Sequence, residues 1–416
     1  MITMIFVIMT VTLLVDAYFY SATNSVFQKF KYFKTVYWSS SFLILLAFAI
    51  GYFSYLNGFA VPRRVMVFIQ GLFFCLFVPK LLAITFFMID DVIRFFRWLV
   101  TLISPSQNSS NSESGISRLK FLQLTGLGVF AVLFTTLGYG IVKGAYNYQV
   151  IKKKLKIKGL PKAFEGLKIV QISDIHTGSF MSTNPLEEAV ALINEQKPDI
   201  IFFTGDLVNE ISEEALPYID TLKKLQAPKG IYSILGNHDY GDYFYKKDDP
   251  EFLNQKKHNK DLMKSIHQQM GFKLLLDENV ILKEEGCELA IIGIENWGAK
   301  GRFPKYGDLA KAIAGTEHIA AKLLLSHDPS HWEAQVLREF KDISATFSGH
   351  THGMQFGIEI PGIKWSPVKY MYPQWAGLYQ SGEQKLYVNR GLGFIGYPGR
   401  VGISPEITVF ELEQES

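Results

Sequence analysis

The sequence predicts an α/β domain preceded by an α-helical transmembrane domain of about four spans. Three observations carry this expectation. Hydrophobic residues make up 48% of the 416 positions, the mean hydropathy is +0.12, and the apolar excess is concentrated in the first third of the chain. From about Ile151, short β-branched runs alternate with helical stretches. All nine histidines lie after residue 175, and five of them fall in four short motifs at the ends of apolar runs. The expected organisation is a multi-span domain over residues 1–150 and a second domain over 151–416.

Four apolar stretches lie in the N-terminal third, at Ile2–Tyr20, Phe42–Leu56, Val65–Ile89 and Leu122–Val142. Crossing the hydrocarbon core takes roughly 20 mostly apolar residues. The third and fourth stretches reach this length, and the second does so with Trp38 and its flanking serines. The first is interrupted by Asp16. It lacks a preceding basic residue and a small-x-small cleavage site, so it reads as a retained helix rather than a signal peptide. Tyr18, Tyr20, Tyr37, Trp38, Tyr52, Tyr55 and Trp98 lie near span ends, where an aromatic belt places them. Pro79 and Lys80 interrupt the third span. Lys80 admits the reading of an intramembrane site, but is expected rather to reach the interface on its long stem or to mark a break between two shorter helices. Basic residues on the two sides number seven and eight, so the positive-inside rule leaves the side of the second domain open. Ser104–Ser117 is serine-rich and aperiodic, the composition of a flexible loop.

The remaining bulk numbers exclude more than they assert. A net charge of +3 gives no argument for a nucleic-acid partner. The two cysteines, Cys75 and Cys287, form no disulfide framework and have no metal-ligand spacing. Lys152, Lys153, Lys154, Lys156 and Lys158 admit two readings: contact with anionic membrane lipids, or the solvated face of a strand in which Leu155 and Ile157 alternate inward.

In the second domain the expected strands are Lys168–Ile172, Asp199–Thr204, Gly230–Leu235, Glu288–Ile294, Ala321–Leu325, Ala345–Ser348, Lys385–Asn389 and Ile407–Glu411. Pro185–Gln196 and Glu213–Leu225 are expected helices, the first with Asn184 as N-cap and Pro185 at its first position. Tyr240–Lys260 reads as an insertion or surface loop over the site, and Pro361–Gln380 as a second segment that shapes the pocket.

The order of the motifs matters most. Asp174-Ile175-His176, Gly205-Asp206 and Gly236-Asn237-His238-Asp239 each follow a strand, then come Ser326-His327-Asp328 and Gly349-His350-Thr351-His352. Ligands in such sheets bind beyond the strand carboxyl ends. Carboxylate oxygens and imidazole nitrogens suit hard or borderline divalent cations. Asp206 can bridge two ions, Asn237 offers a neutral oxygen, and His327, His350 and His352 complete the two shells. Two cations about 3.5–4 Å apart clamp a phosphoryl group and activate a water or hydroxide for in-line attack. His238 is placed to serve the leaving oxygen as a general acid, with Asp239 expected to orient its ring. His258, His267 and His318 lack motif context and are expected at the surface, while His331, four residues after His327, is a candidate for the site wall.

These residues carry a resemblance. Residues 155–416 resemble the calcineurin-like metallophosphoesterase superfamily, and within it the membrane-associated bacterial phosphoesterases. The family's opening run matches Leu160-Pro161-Lys162-Ala163-Phe164-Glu165-Gly166-Leu167-Lys168-Ile169-Val170-Gln171-Ile172-Ser173-Asp174-Ile175-His176-Thr177-Gly178. Its closing segments match Asn389-Arg390-Gly391-Leu392-Gly393 and Ser404-Pro405-Glu406-Ile407. The resemblance implies a metallophosphoesterase-type β-sandwich flanked by helices. It implies one metal on Asp174, His176 and His352, another on Asn237, His327 and His350, Asp206 between them, and His238 as the catalytic histidine. It implies two divalent ions (manganese, iron or zinc), a phosphoester substrate, and a place in a bacterial cell (inner) membrane among membrane lipids. Some relatives cleave UDP-diacylglucosamine, which with the four spans makes a lipid-linked substrate one expectation; the other is that the spans only anchor a phosphodiesterase acting on soluble substrates. The contrasting expectation is a phosphoesterase-fold module that regulates or scaffolds a transporter- or receptor-like membrane domain. One residue departs from the pattern: Met354 stands where the family has a second glycine after Gly-His-Thr-His-Gly.

Overall fold

The computed structural model describes residues 2–56, 63–103, 118–300 and 303–415. The expected serine-rich loop Ser104–Ser117 lies outside them. The chain divides into two compact units, 1–141 and 142–416.

The first unit consists of four helices: α1 (Ile2–Thr23), α2 (Phe33–Leu56), α3 (Arg63–Ile103) and α4 (Arg118–Val142). All four are long and apolar enough to cross a membrane. Few of their large apolar side chains are buried, as lipid-facing helices require. Two expectations are corrected here. Pro79 does not break the third span, because α3 runs through it for 41 residues. Lys80 does not reach outward: it is buried, and its Nζ lies 2.6 Å from Asp16 Oδ1. Tyr37 Oη donates to the Asp16 carbonyl at 2.9 Å, and Ser41 Oγ donates to the Asp16 carboxylate. A buried charge in hydrocarbon persists only when paired in this way.

The second unit is a sandwich of two six-stranded sheets. Its strands are β1 (Gln149–Lys158), β2 (Lys168–Ile172), β3 (Ile200–Phe203), β4 (Ile231–Ser233), β5 (Lys273–Leu274), β6 (Glu278–Glu284), β7 (Cys287–Gly293), β8 (Lys322–Leu325), β9 (Ala345–Ser348), β10 (Ile358–Ile360), β11 (Ile363–Trp365), β12 (Gly377–Ser381), β13 (Gln384–Val388) and β14 (Glu406–Glu415). One sheet has the order β1-β14-β2-β3-β4-β5, the other β12-β13-β9-β8-β7-β6, and β10 and β11 form a separate hairpin. The basic run is thus an edge strand, with Leu155 and Ile157 buried and its lysines exposed.

Alternation along the strands builds the layers. In β3, Ile200 and Phe202 enter the core between the sheets, whereas Ile201 and Phe203 face the helical layer. That layer holds α5 (Asn184–Glu195), α6 (Ile219–Leu222) and α7 (Phe252–Met270). A strand buried on both faces has to be apolar throughout, as this Ile-Ile-Phe-Phe run is. On the other flank, Ile292 and Leu324 pack with Leu309 and Ala312 of α8 (Leu309–Ile313). The expected helix over Glu213–Leu225 is mostly 3-10 turns, Ser212–Tyr218, with Pro217 inside, and only α6 is α-helical. Proline removes an amide donor and crowds the preceding turn.

The candidate metal centre

Five strand ends converge on one rim. β2 runs into Asp174 and His176, β3 into Asp206, β4 into Asn237, β8 into His327, and β9 into His350 and His352. The loops leave their strands by left-handed turns. Positive φ occurs at Asp174 (49°), His176 (49°), Asp206 (57°), His350 (72°) and His352 (50°). Each costs a non-glycine residue on the order of 1–3 kcal/mol, a conformation typical of functional sites. The neighbouring glycines are demanded by contact. A Cβ on Gly236 would fall on Asp206 Oδ1, and one on Gly349 would fall on Ser173 Oγ and Asp174 Oδ2.

The side chains gather in two groups. Asp174, His176 and His352 form one, and Asp206, His327 and His350 the other, with the donor atoms of each group within 4.8 Å of one another. His176 Nε2 lies 3.0 Å from His352 Nε2, which lies 3.2 Å from Asp174 Oδ1. Asp206 faces both groups: its Oδ2 is 3.6 Å from His176 Nε2 and 3.1 Å from His327 Nε2. Asn237 Oδ1 is 2.8 Å from His350 Nδ1. Two donors each bonded at about 2.1 Å to one cation and at right angles stand about 3 Å apart, so this spacing suits a shared ion.

The outer ring nitrogens are tied to the protein, which turns the inner ones toward the centre. His176 Nδ1 donates to Val208 O at 3.1 Å, and His327 Nδ1 donates to Thr204 O at 2.7 Å. A backbone carbonyl in this position fixes the tautomer of a ligating histidine. His327 Nε2 is buried 3.1 Å from Asp206 Oδ2. It is an imidazole nitrogen aimed at the centre, as metal binding requires.

Charge follows the same pattern. Burial opposes ionisation of Asp174, but the His352 and His327 rings beside it hold the carboxyl below the usual range. Asp206 is likewise held well down against burial, chiefly by His327 and His238. Burial disfavours a charged His327, yet Asp206 pulls its pKa up to about 10. The pocket therefore keeps both carboxylates anionic and attracts positive charge, and the donor set fits divalent cations.

The known proteins with similar sequences agree. Residues 167–354 match the family model for calcineurin-like phosphoesterase, and residues 1–145 match the model for a calcineurin-like phosphoesterase transmembrane domain of four helices. A transmembrane protein with a metallophosphoesterase domain from Danio rerio is 30% identical over 381 residues, covering 89% of this chain and 80% of that protein. The metallophosphoesterase YkuE of Bacillus subtilis is 30% identical over 310 residues, covering 72% of this chain and 98% of its own length. The chain belongs to the calcineurin-like metallophosphoesterases. Phosphodiesterase YaeI of Escherichia coli, 27% identical over 307 residues, covers 71% of this chain and 99% of its own length. The protein is accordingly a membrane-associated metal-dependent phosphoester hydrolase.

Several residues of this metallophosphoesterase stand elsewhere than the motifs alone suggest. Asp239 does not orient His238. Its carboxylate instead accepts from the backbone amides of Asp206, Leu207, Val208 and Gly236 and so clamps two metal-type loops together. Burial, with Asp206 nearby, raises its pKa to about 7. His238 Nδ1 donates to Asn209 O at 2.5 Å, and its backbone amide donates to Asp206 Oδ1 at 2.9 Å. His267 is not a surface residue: it is fully buried on α7, with Nδ1 2.9 Å from Ser233 Oγ. His258 and His318 are exposed. His331 is buried but stands off the site, spanning Ser326 Oγ and Gln335 Oε1 at 2.9 Å each.

Three contacts were missed by reading motifs. Tyr243 Oη accepts from Asn237 Nδ2 at 2.9 Å, which leaves Asn237 Oδ1 for the centre. Tyr372 Oη lies 2.9 Å from His350 Nε2. Asp328 Oδ2 lies 3.7 Å from the same nitrogen and accepts from Tyr372 at 3.4 Å. Tyr243 and Tyr372 fall within the two segments expected to border the site, Tyr240–Lys260 and Pro361–Gln380. The first of these is not all loop, since α7 begins inside it at Phe252. Met354 is 53% exposed, with φ of 54°, a strained turn that a glycine would adopt freely.

Proposed function

We propose that Asp174, His176 and His352 hold one divalent ion, that Asn237, His327 and His350 hold the other, that Asp206 is shared between them, and that the pair hydrolyses a lipid-linked phosphodiester, pyrophosphate or monoester such as UDP-diacylglucosamine. The observation that carries this reading is the convergence of seven donor side chains from five strand ends on two adjacent centres. A bound pair of manganese, iron or zinc ions supplies charge withdrawal from the phosphoryl group and an acidified water. The chain does the rest. Val208 O and Thr204 O orient His176 and His327, Tyr243 turns the Asn237 amide, and Asp239 holds the Asp206 loop against the Gly236 loop. His238 is the proton donor to the leaving oxygen. Its Nδ1–H is spent on Asn209 O, which leaves Nε2 as the ring nitrogen for proton transfer. The lipid-linked class is supported by the four spans, which tether the hydrolase to a bilayer.

The test is hydrolysis by the full-length protein of an aryl phosphodiester, an aryl phosphomonoester and a lipid-borne pyrophosphate, with manganese or with a chelator. Metal-dependent turnover is expected. In His238→Ala it falls about 10²–10⁴-fold while bound metal, counted by elemental analysis, is unchanged. Full metal occupancy with no turnover on any of the three would replace this reading with the regulatory or scaffolding one.

A further inference from the structure

The β10–β11 hairpin is built inside out. Its register pairs Ile358 with Trp365, Glu359 with Lys364, and Ile360 with Ile363. Side chains alternate along each strand, so Ile358, Ile360, Ile363 and Trp365 share one face while Glu359 and Lys364 share the other. In a water-facing hairpin the charged face turns outward. Here the charged face makes the contacts with the protein, although Glu359 and Lys364 remain partly exposed. Glu359 binds Arg390 with contacts of 2.5 and 3.0 Å, and Lys364 Nζ donates to Ala376 O and lies over the Trp375 ring. The apolar face is left open, with Ile358 49%, Ile360 56% and Ile363 53% exposed. The turn that follows adds Tyr370, 76% exposed, and Met371, 61% exposed.

The hairpin is tied to the metal centre. It starts three residues after Gln355, within the loop that carries His352, and Ser366 Oγ at its far end donates to Gly353 O at 2.8 Å. Lysines flank the apolar surface: Lys369 lies over the Tyr370 ring, and Lys300 Nζ donates to Met371 O.

We propose that this face docks on the headgroup–acyl boundary of a phospholipid bilayer carrying anionic lipid, and so holds the mouth of the metal centre at the level where phosphoester headgroups lie. Several features select a bilayer as the occupant. The chain has four membrane-length helices, so a bilayer is always within reach. Exposed isoleucines beside a tyrosine and lysines match the apolar, aromatic and basic composition of interfacial segments. The lysines complement anionic headgroups. This inference deepens the lipid-linked substrate class proposed above and rests on it for its purpose, though not for its test.

The experiment uses the full chain with Cys75→Ala, Cys287→Ser and Ile360→Cys, labelled with an environment-sensitive fluorophore. The protein is reconstituted into vesicles of phosphatidylcholine with phosphatidylglycerol. Glu285→Cys, in the turn between β6 and β7, serves as the reference. The label at 360 is expected to be quenched by lipid-borne nitroxides and shielded from iodide, and the label at 285 to behave oppositely. Equal behaviour at the two positions overturns the proposal, as does a disulfide-linked dimer through position 360 in the unlabelled Ile360→Cys protein, which would make a second copy the occupant. A second variant, Ile358→Ser with Ile360→Ser and Ile363→Ser, should lose at least about tenfold on a vesicle-borne phosphoester and keep its activity on a soluble aryl diester. An equal loss on both overturns the proposal. Shielding at 360 without turnover on any ester would defeat the catalytic reading and leave the docking intact; turnover without shielding would do the reverse.

Discussion

The two units both bury charge, and they do so in opposite ways. In the helical unit Asp16 is matched by a lysine, with Lys80 Nζ at 2.6 Å and hydroxyls of Tyr37 and Ser41 completing its shell. The cluster neutralises itself. On the sandwich rim, Asp174 and Asp206 are surrounded by imidazoles, and two of these, His176 and His327, have their outer nitrogen already committed to a backbone carbonyl. There the inner donors stand 3.0–3.6 Å apart, a spacing suited to a shared cation. A buried charge that brings its own partner stabilises a packing arrangement. A buried charge surrounded by lone pairs waits for a ligand.

The sharpest break of this comparison is removal of the shared carboxylate. Asp206→Ala should abolish turnover and reduce the bound metal, read by elemental analysis and by hydrolysis of an aryl phosphoester. Chelation of the wild type should do the same, reversibly. Full activity in the variant would refute the two-centre assignment. In the helical unit the corresponding change acts on stability. Lys80→Met leaves Asp16 buried without its cation and should cost about 3–5 kcal/mol, seen as a lower Tm in detergent. Adding Asp16→Leu should recover much of the loss, since a well-packed apolar pair can replace a buried ion pair. Turnover per folded molecule should not change in either variant. If metal occupancy falls with Lys80→Met, the two clusters are not independent. Smaller still is Tyr243→Phe, which frees the Asn237 amide to rotate. Supporting contacts to metal ligands are worth about 10–100-fold in metal affinity, and a titration with manganese should show a loss in that range.

The sequence made the metal centre legible because each donor sits within a few residues of an apolar strand, in a motif whose glycines are required by contact. The two layers of the sandwich were legible through alternation in runs such as Ile200–Phe203. What escaped was held together across space. Tyr243 and Tyr372 carry no motif, and they matter only because their loops fold back over Asn237 and His350. Asp239 lay inside a recognised motif, yet its carboxylate serves four amides rather than the histidine beside it, which adjacency in sequence cannot reveal. Helix α7 was hidden by its polarity, although Met263, Ile266, His267 and Met270 are its buried stripe at helical spacing. The β10–β11 hairpin had a signal in Pro361-Gly362 between two apolar alternations. Its orientation follows from contacts with Arg390 and Ala376, which lie outside the hairpin.

The same distinction between committed and available nitrogens extends to His267, a buried histidine outside the metal centre. Its Nδ1 meets Ser233 Oγ, its Nε2 has no hydrogen-bond partner, and aromatic rings of Phe203 and Phe272 pack around it. Burial pushes its pKa down to about 3 in the folded protein, against about 6.5 for an unperturbed imidazole. Below pH 6.5 the unfolded chain therefore takes up a proton that the folded chain refuses. Stability contributed by this site is complete above pH 6.5 and falls with decreasing pH toward 3, at about 1.4 kcal/mol per pH unit. His331, pushed down to about 4, adds a second proton over the upper part of that range. His267→Gln should lower the Tm at neutral pH through lost packing but remove one proton from the slope between pH 6 and 4 (about one unit of the linkage). Thermal unfolding of the detergent-solubilised protein across that window reads the slope directly. An unchanged slope in the variant would mean that His267 is protonated in the fold and that some acceptor, hidden at Nε2, serves it after all.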